Sequence, residues 1–363
     1  MTDSTAERAA MQRALALAAT AGVPLGPNPR VGCVLLTPDG DVVAEGFHRG
    51  AGTPHAEADA LARAGTAARG TTAVVTLEPC NHTGRTGPCA QALLAAGVAR
   101  VVFAQADPTP VAAGGADTLR AAGVDVKGGL LAEESAHLNR AWTFGVAHDR
   151  PLVTWKFATT LDGRSAAADG TSRWVSGPAS RLDTHRLRGE CDTMLVGTST
   201  AVIDDPQLTV RGADDQPLAH QPLRAVMGLR DLPADLRVLD DSAPSLRLLT
   251  RDPAAALAEL FALGRRHVFL EGGPRLAAAF LRAGLVDEVV TYVAPMLLGA
   301  GRSSVADLGI TTIAGALHLE PTDVTVLGSG AETNVRLTMT PRYDAVVTAH
   351  PGDAARVALR EDH

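Results

Sequence analysis

Lysine is nearly missing from this 363-residue chain: only Lys127 and Lys156 occur, and every other permanently basic side chain is arginine. Aromatic residues amount to 3%, so the core must be built from alanine, valine and leucine. Positive charge is not in excess, and a net charge of -7 leaves no general electrostatic footprint for nucleic acid. No apolar run approaches the roughly 18–20 residues that span a bilayer, so no membrane partner is expected. The opening stretch, MTDSTAERAAMQRALALAATAG, carries acids where a secretion signal would be basic, and reads as an amphipathic helix. Cysteine is scarce: four, without a secretion signal, argue against a disulfide framework. The expected setting is a reducing cytoplasm, where thiolates are open to a metal.

What is present is a repeated alternation of short apolar runs and helical stretches, the pattern of a sheet with helices packed on its faces. RVGCVLLTP (30–38) and DVVAEGFH (41–48) read as a hairpin closed by Asp39-Gly40. HAEADALARAG (55–65) reads as a helix with a glycine cap, TTAVVTLEP (71–79) as a buried strand, and PCAQALLAAGV (88–98) as a helix with proline near its start. ARVVFAQAD is a further strand, 117–129 reads as helix then strand, and 134–151 as one closing helix and a linker. A second cycle of strands and helices begins at PLVTWKFATTLDG and shows no repeat of the first. The expected organisation is a domain over 1–147, another over 148–342, and a tail, 343–363, polar at its end.

LEPCNHTGRTGPC (77–89) holds two cysteines, and His55 in PHAEADAL supplies a third metal donor. One imidazole and two thiolates suit zinc, and three protein ligands leave a position for water, the pattern of a catalytic site. Zinc lowers the pKa of such a water to about 7. Glu57, two residues beyond His55, stands where a carboxylate can shuttle protons without binding the metal. His-x-Glu followed by Pro-Cys and a second cysteine is the signature of nucleobase deaminases. Eight residues separate Cys80 from Cys89, where nucleic-acid deaminases usually have two. Such an insertion puts His82 and Arg85 beside a substrate, arginine being suited to phosphate; His82 reads also as a solvated loop histidine. Cys33 and Cys191 lack such company and read as small buried side chains.

The second half has no G-x-G-x-x-G fingerprint. It offers instead two strand-to-helix turns suited to phosphate, Gly197–Thr200 and Gly272-Gly273, although glycine at such turns is commonly just a turn residue. Lys156 lies in an apolar strand. Taken alone, it reads as a lysine whose stem lies on a sheet edge with its head in water.

The motifs GPNPRVGCVL, GFHRGAGTPHAE, LEPCNHTGRTGPC and DPTP resemble the deaminase half of the bifunctional riboflavin-biosynthesis family, diaminohydroxyphosphoribosylaminopyrimidine deaminase/5-amino-6-(5-phosphoribosylamino)uracil reductase. WKFATTLDGR, SRWVSGPASRLDTHRLR, LVGTSTAVIDDPQLTVR and EGGPRLAAAFLRAGLVDE resemble its reductase half, so the likeness covers about residues 5–340. The resemblance implies an α/β protein with a cytidine-deaminase-like α/β/α domain followed by a dihydrofolate-reductase-like α/β domain. It implies zinc on His55, Cys80 and Cys89, proton shuttling by Glu57, and substrate contacts from Asn28, His82 and Arg85. In the second domain it implies NADPH at Thr159, Trp174, Thr200, Asp204 and the stretch Gly273, Pro274, Arg275. Substrate there falls to Lys156, also the expected catalytic cation, and to Ser172, Arg188, Leu208, Arg211 and Glu271, with Arg188 and Arg211 suited to the phosphate. Gly87 stands where the family commonly has proline, and Thr160 where it usually has serine. Thr250-Arg251, after LRLLT, is our own candidate for the cofactor's 2′-phosphate, because arginine marks NADP rather than NAD.

The expected activity is therefore zinc-dependent deamination of a phosphoribosylated pyrimidine, then NADPH reduction of its ribosyl group to ribityl. A nucleic-acid or nucleoside deaminase with an appended nucleotide-binding domain is the alternative, and a structural zinc module fused to a nucleotide sensor a third. The acidic charge and the long cysteine loop oppose the second reading. Three visible ligands oppose the third. Whether the chain forms a homo-oligomer stays open.

Overall fold

The computed structural model describes residues 4–82, 87–110 and 112–343. It divides into two compact units, Met1–Pro151 with Gly264–Arg266, and Leu152–Leu263 with the chain from His267 onward.

The first unit runs α1 (Thr5–Ala18), β1 (Gly32–Leu36), β2 (Val42–Phe47), α2 (Ala56–Ala64), β3 (Thr72–Leu77), α3 (Cys89–Ala96), β4 (Arg100–Gln105), α4 (Gly115–Ala121), β5 (Asp125–Gly128), α5 (Ala132–Leu138) and α6 (Arg140–His148). The sheet order is β2-β1-β3-β4-β5, with β1 antiparallel to both neighbours and β3, β4 and β5 parallel. Side chains alternate across a strand, and here both faces are apolar. Cys33 and Leu35 of β1 pack with Ala56 and Ala60 of α2 and Leu93 of α3, while Val34 and Leu36 pack with Met11 and Ala14 of α1. The result is the expected α/β/α sandwich. Gly46 brings α2 close: a Cβ there would sit 2.4 Å from the Ala56 carbonyl oxygen. The expected hairpin, strands and glycine-capped helices fall where the sequence places them. The single closing helix does not, because Asn139 divides it. Its side chain turns back to bond both the N–H and the carbonyl of Arg30, at 2.9 Å each, so that it pairs like a strand neighbour beside the Pro27-Asn28-Pro29 turn.

The second unit runs β6 (Leu152–Thr160), β7 (Arg164–Ala166), α7 (Pro178–Gly189), β8 (Thr193–Gly197), α8 (Thr198–Asp204), β9 (Leu223–Met227), β10 (Ser245–Leu248), α9 (Pro253–Ala262), β11 (His267–Leu270), α10 (Pro274–Arg282), β12 (Glu288–Ala294), β13 (Arg302–Ser303), β14 (His318–Leu327) and β15 (Asn334–Arg342). Its main sheet has the order β10-β9-β8-β11-β6-β12-β15-β14, and the strands from β10 to β12 are all parallel. β15 and β14 add an antiparallel edge, and β7 pairs with β13 separately. Helices α9 and α10 cover one face through Leu257, Leu260, Ala277 and Phe280. α7 and α8 contribute Leu187 and Ala201 to the other. All the carboxyl ends of the parallel strands therefore open along one edge, where ligands bind in such sheets. β6 lies inside the sheet, between β11 and β12. The sheet-edge reading of Lys156 is thereby corrected: the strand is central, and its lysine cannot reach water along an edge.

Candidate active sites

His55 is the N-cap of α2, and Cys89 is the first residue of α3. Cys80 follows β3 by three residues, and its Sγ accepts the Cys89 backbone N–H at 3.3 Å. Two helix starts and a strand end thus converge, and each helix start favours negative charge on sulfur. The donor atoms of His55, Cys80 and Cys89 lie within 4.8 Å of one another. His55 Nδ1 is 3.3 Å from Cys89 Sγ and 3.6 Å from Cys80 Sγ. Tetrahedral zinc with ordinary Zn–N and Zn–S bonds requires N···S of about 3.6 Å, close to both distances here, so the donor set and its spacing suit that ion. The contact with Cys89 holds the Cys80 thiol down to about 4, while the same contact pushes Cys89 up. The hydrogen bond to Cys80 raises His55.

Glu57 is 3% exposed and does not belong to the donor trio. Burial pushes its carboxyl up to about 7. It lines a cavity of about 390 Å3 together with Asn28, His48, His55, Cys80 and His82. Of the expected deaminase residues, Asn28, His55, Glu57, Cys80 and His82 line this hollow, Cys89 joins it through the donor trio, and Arg85 lies outside the described residues. His82 faces this cavity and its Nδ1 is buried, so the bland solvated-loop reading does not describe it.

Two side chains of this cavity escaped the sequence reading. His48 Nδ1 lies 2.9 Å from the Pro54 carbonyl, which only accepts, so Nδ1 carries the proton. Burial lowers the His48 pKa and keeps the ring neutral. Its Nε2 then accepts from Asn28 Nδ2 at 3.1 Å, which fixes the amide flip and presents Asn28 Oδ1 as the remaining acceptor. Glu78 accepts backbone N–H groups from Asp107, Gly114 and Ala116 at 3.1–3.3 Å, and so ties down the cavity wall that bears Asp107, Thr109 and Ala112. Gly115 lets that wall close, since a Cβ there would stand 1.8 Å from the Pro79 carbonyl oxygen. Both residues sit inside the quoted motifs; only the fold shows what they hold.

In the second unit the register of β11 on β6 pairs Leu270 with Trp155, which sets Glu271 beside Lys156. Arg188 of α7 grips Glu271 through Nε at 2.6 Å and Nη2 at 2.8 Å, and its Nη1 donates to the Thr209 carbonyl at 3.1 Å. Both side chains of this pair are largely buried. Burial opposes the Glu271 charge, but the Arg188 guanidinium wins and holds the carboxyl near about 2. Burial lowers Lys156, whose Nζ sits 5.5 Å from the Tyr292 ring centre. The resemblance made Arg188 suited to the phosphate, but its fork is already engaged, and an incoming anion would have to share it with Glu271.

Leu208 has φ 55° and is buried, and Arg211 extends from the same segment. The two glycine turns are neighbours because β8 pairs with β11. Gly197 caps α8, Gly273 caps α10, and the Gly273 N–H donates to Thr200 Oγ1 at 3.2 Å. Pro274 and Arg275 open α10, and Asp204 closes α8. Thr250 and Arg251 follow β10 at the same carboxyl edge. Both glycine turns thus lead into helix starts along one edge, and a helix start with glycine suits an anion. Thr159 is buried and accepts from Ser304 Oγ at 2.7 Å. Ser172 and Trp174 stand on the loop before α7, with Trp174 65% exposed beneath the Arg181 guanidinium at 4.4 Å. No helix among the described residues is long and apolar enough to cross a membrane.

Comparison with known proteins matches residues 4–105 to the cytidine and deoxycytidylate deaminase zinc-binding region and residues 151–332 to the RibD C-terminal domain. The chain is 48% identical over 303 residues to riboflavin biosynthesis protein RibD of Mycobacterium tuberculosis, across 83% of this chain and 89% of the relative. It is 38% identical over 340 residues to that of Escherichia coli, across 84% of this chain and 92% of the relative. Among solved structures, Acinetobacter baumannii RibD is similar with a TM-score of 0.79 at 36% identity, covering 93% of this chain and 99% of that one. The diaminohydroxyphosphoribosylaminopyrimidine deaminase/5-amino-6-(5-phosphoribosylamino)uracil reductase of Thermotoga maritima gives 0.78 at 29% identity, with 93% and 99% covered. A zinc-type deaminase cavity in one unit and a nucleotide edge with a buried cationic cluster in the next are two halves of one catalyst: the chain belongs to the RibD family of riboflavin-biosynthesis proteins and is a bifunctional deaminase and reductase.

Proposed function

We propose that the 1–147 domain deaminates 2,5-diamino-6-(5-phosphoribosylamino)pyrimidin-4-one and that the 148–342 domain then reduces the ribosyl side chain to ribityl with NADPH, in the cytoplasm and without a nucleic-acid partner. The observation that carries the first step is the His55, Cys80 and Cys89 trio at zinc spacing with a buried carboxyl beside it. Zinc bound there supplies an acidified water at neutral pH. Asn28 Oδ1 accepts a pyrimidine N–H, and His82 and Arg85 hold the base and the ribose phosphate. Glu57, acidic enough to release a proton and basic enough to take one near neutrality, receives the proton of the attacking water and returns it to the departing ammonia. Cys89→Ala should lose most bound zinc, read by metal analysis, and with it ammonia release. Reduction of already deaminated substrate should persist.

For the second step, Lys156 stands as the cation at the sugar, held between Glu271 and Tyr292. Arg211 takes the phosphate, with Ser172, Leu208 and the Arg188–Glu271 pair shaping the pocket around the open-chain ribose. Thr159, Trp174, Thr200, Asp204 and Gly273–Arg275 receive the cofactor, and Thr250-Arg251 its 2′-phosphate. Arg251→Ala should cut the preference for NADPH over NADH by about tenfold, the worth of one charge-assisted hydrogen bond. An unchanged preference in steady-state rates would remove Arg251 from that role.

A further inference from the structure

Arg211 is aimed by a neighbour that no motif singles out. Its Nη2 donates to Gln207 Oε1 at 2.6 Å, the shortest contact the guanidinium makes. Its Nη1 is held more loosely, at 3.3 Å, by the carbonyl and the carboxylate of Asp215, whose side chain is 81% exposed. The Gln207 amide cannot flip. Its Nε2 donates to Asp240 Oδ2 at 2.9 Å and to Ser242 Oγ at 3.3 Å, and a carboxylate accepts only. Oε1 is therefore committed to Arg211, with a second, longer contact from Arg237 Nη2 at 3.3 Å.

Behind this amide lies Arg224 of β9, the largest fully buried side chain among the described residues. It donates to the Gln207 carbonyl at 3.3 Å, the Arg237 carbonyl at 3.1 Å, Asp240 Oδ1 at 2.8 Å and Ser242 Oγ at 3.1 Å. From the other side, Arg188 Nη1 holds the Thr209 carbonyl. The segment from Gln207 to Arg211 is thus pinned between two buried arginines, with Leu208 in a left-handed conformation between them. One end of the Arg211 guanidinium is fixed by Gln207. The other rests on an exposed carboxylate that an anion can replace.

We infer that Gln207 is the positioning residue that aims Arg211 at the substrate's phosphate, with Arg224 and Asp240 as its fixed mount. The inference rests on the reading of Arg211 as the phosphate ligand. Gln207 touches no reacting atom; it sets where the Nη1 edge points, and so sets how strongly the reductase discriminates a phosphorylated substrate from a dephosphorylated one.

The test measures reductase kcat/KM at saturating NADPH for the deaminated phosphoribosyl substrate and for its dephosphorylated counterpart, using the full-length enzyme. Taking the ratio of the two on one sample cancels any unfolded fraction. Arg211→Ala should collapse the ratio. Gln207→Met should lower it about tenfold while leaving the dephosphorylated substrate's kcat/KM unchanged, and should add nothing in the Arg211→Ala background. Gln207→Asn, which keeps the amide on a shorter arm, should fall between. If the Gln207 variants keep the wild-type ratio while Arg211→Ala collapses it, or if they depress both substrates equally, the positioning role is wrong. If Arg211→Ala itself leaves the ratio unchanged, the phosphate reading fails and the inference falls with it.

Discussion

Glu57→Gln is expected to abolish ammonia release while leaving zinc in place. Glutamine keeps the volume and hydrogen-bonding reach of the buried side chain but cannot take up or release a proton. General acid–base help is worth about 10²–10⁴ in rate, and this carboxyl serves both the attack and the departure of ammonia, so the loss should lie at the upper end of that range. Nearly full metal content with a rate reduced at least a hundredfold is the expected pair of results. Metal loss would mean that Glu57 helps to hold the site. Normal turnover would remove it as the proton carrier. Reduction of deaminated substrate should be untouched, because Glu57 and the Lys156 cluster belong to different compact units.

Arg188→Met should have the largest effect in the reductase unit. It leaves Glu271 in a largely buried position, with Lys156 and His185 but no bidentate partner to answer its charge. Removing one partner of a buried pair costs about 3–5 kcal/mol. Reductase activity should fall with that unit's stability while deamination continues. Arg188→Met combined with Glu271→Gln should recover much of the stability but not the activity. The same pair predicts an acid limit. The folded Glu271 carboxyl sits at about 2 against an ordinary 4.5. Its contribution, about 3 kcal/mol, is fully present above pH 4.5 and is lost as the pH falls from there through about 2. Denaturant unfolding followed by circular dichroism should show that loss in the wild type and not in the double variant.

How much of this was legible in the sequence depended on the kind of signal. The hairpin, the buried strand at 72–77 and the glycine-ended helices follow from local periodicity and turn chemistry, and the structure keeps them. His55, Glu57, Cys80 and Cys89 were readable because metal chemistry demands those residue types at helix starts and strand ends. β9 passed unnoticed. Its sequence, LRAVM, carries an arginine in what proves to be the core, and local reading assigns a charge to the surface. Arg224 is tolerated only because its acceptors come from 17 residues before it and from 13 to 19 residues after it, which no periodicity announces. Asn139 hid a helix break for a similar reason, since its partner, Arg30, is 109 residues away. Lys156 seemed an edge lysine until the strand order placed β6 between two others. The Arg188 fork was visible as an arginine suited to anions, but that its anion is Glu271 of this same chain is a fact of register. His48 and Glu78 lay in plain view inside their motifs, yet the tautomer of one and the three backbone donors of the other exist only in the folded cavity.

The central claim is that one chain performs hydrolysis and reduction in sequence on one small molecule. It is tested most directly by incubating the purified protein with 2,5-diamino-6-(5-phosphoribosylamino)pyrimidin-4-one, with and without NADPH, and resolving the products by mass. Without NADPH the account predicts ammonia and the deaminated ribosyl compound; with NADPH it predicts the deaminated ribityl compound and matching NADPH consumption. No deamination by zinc-replete protein, or a ribityl product that still carries both amino groups, would contradict it.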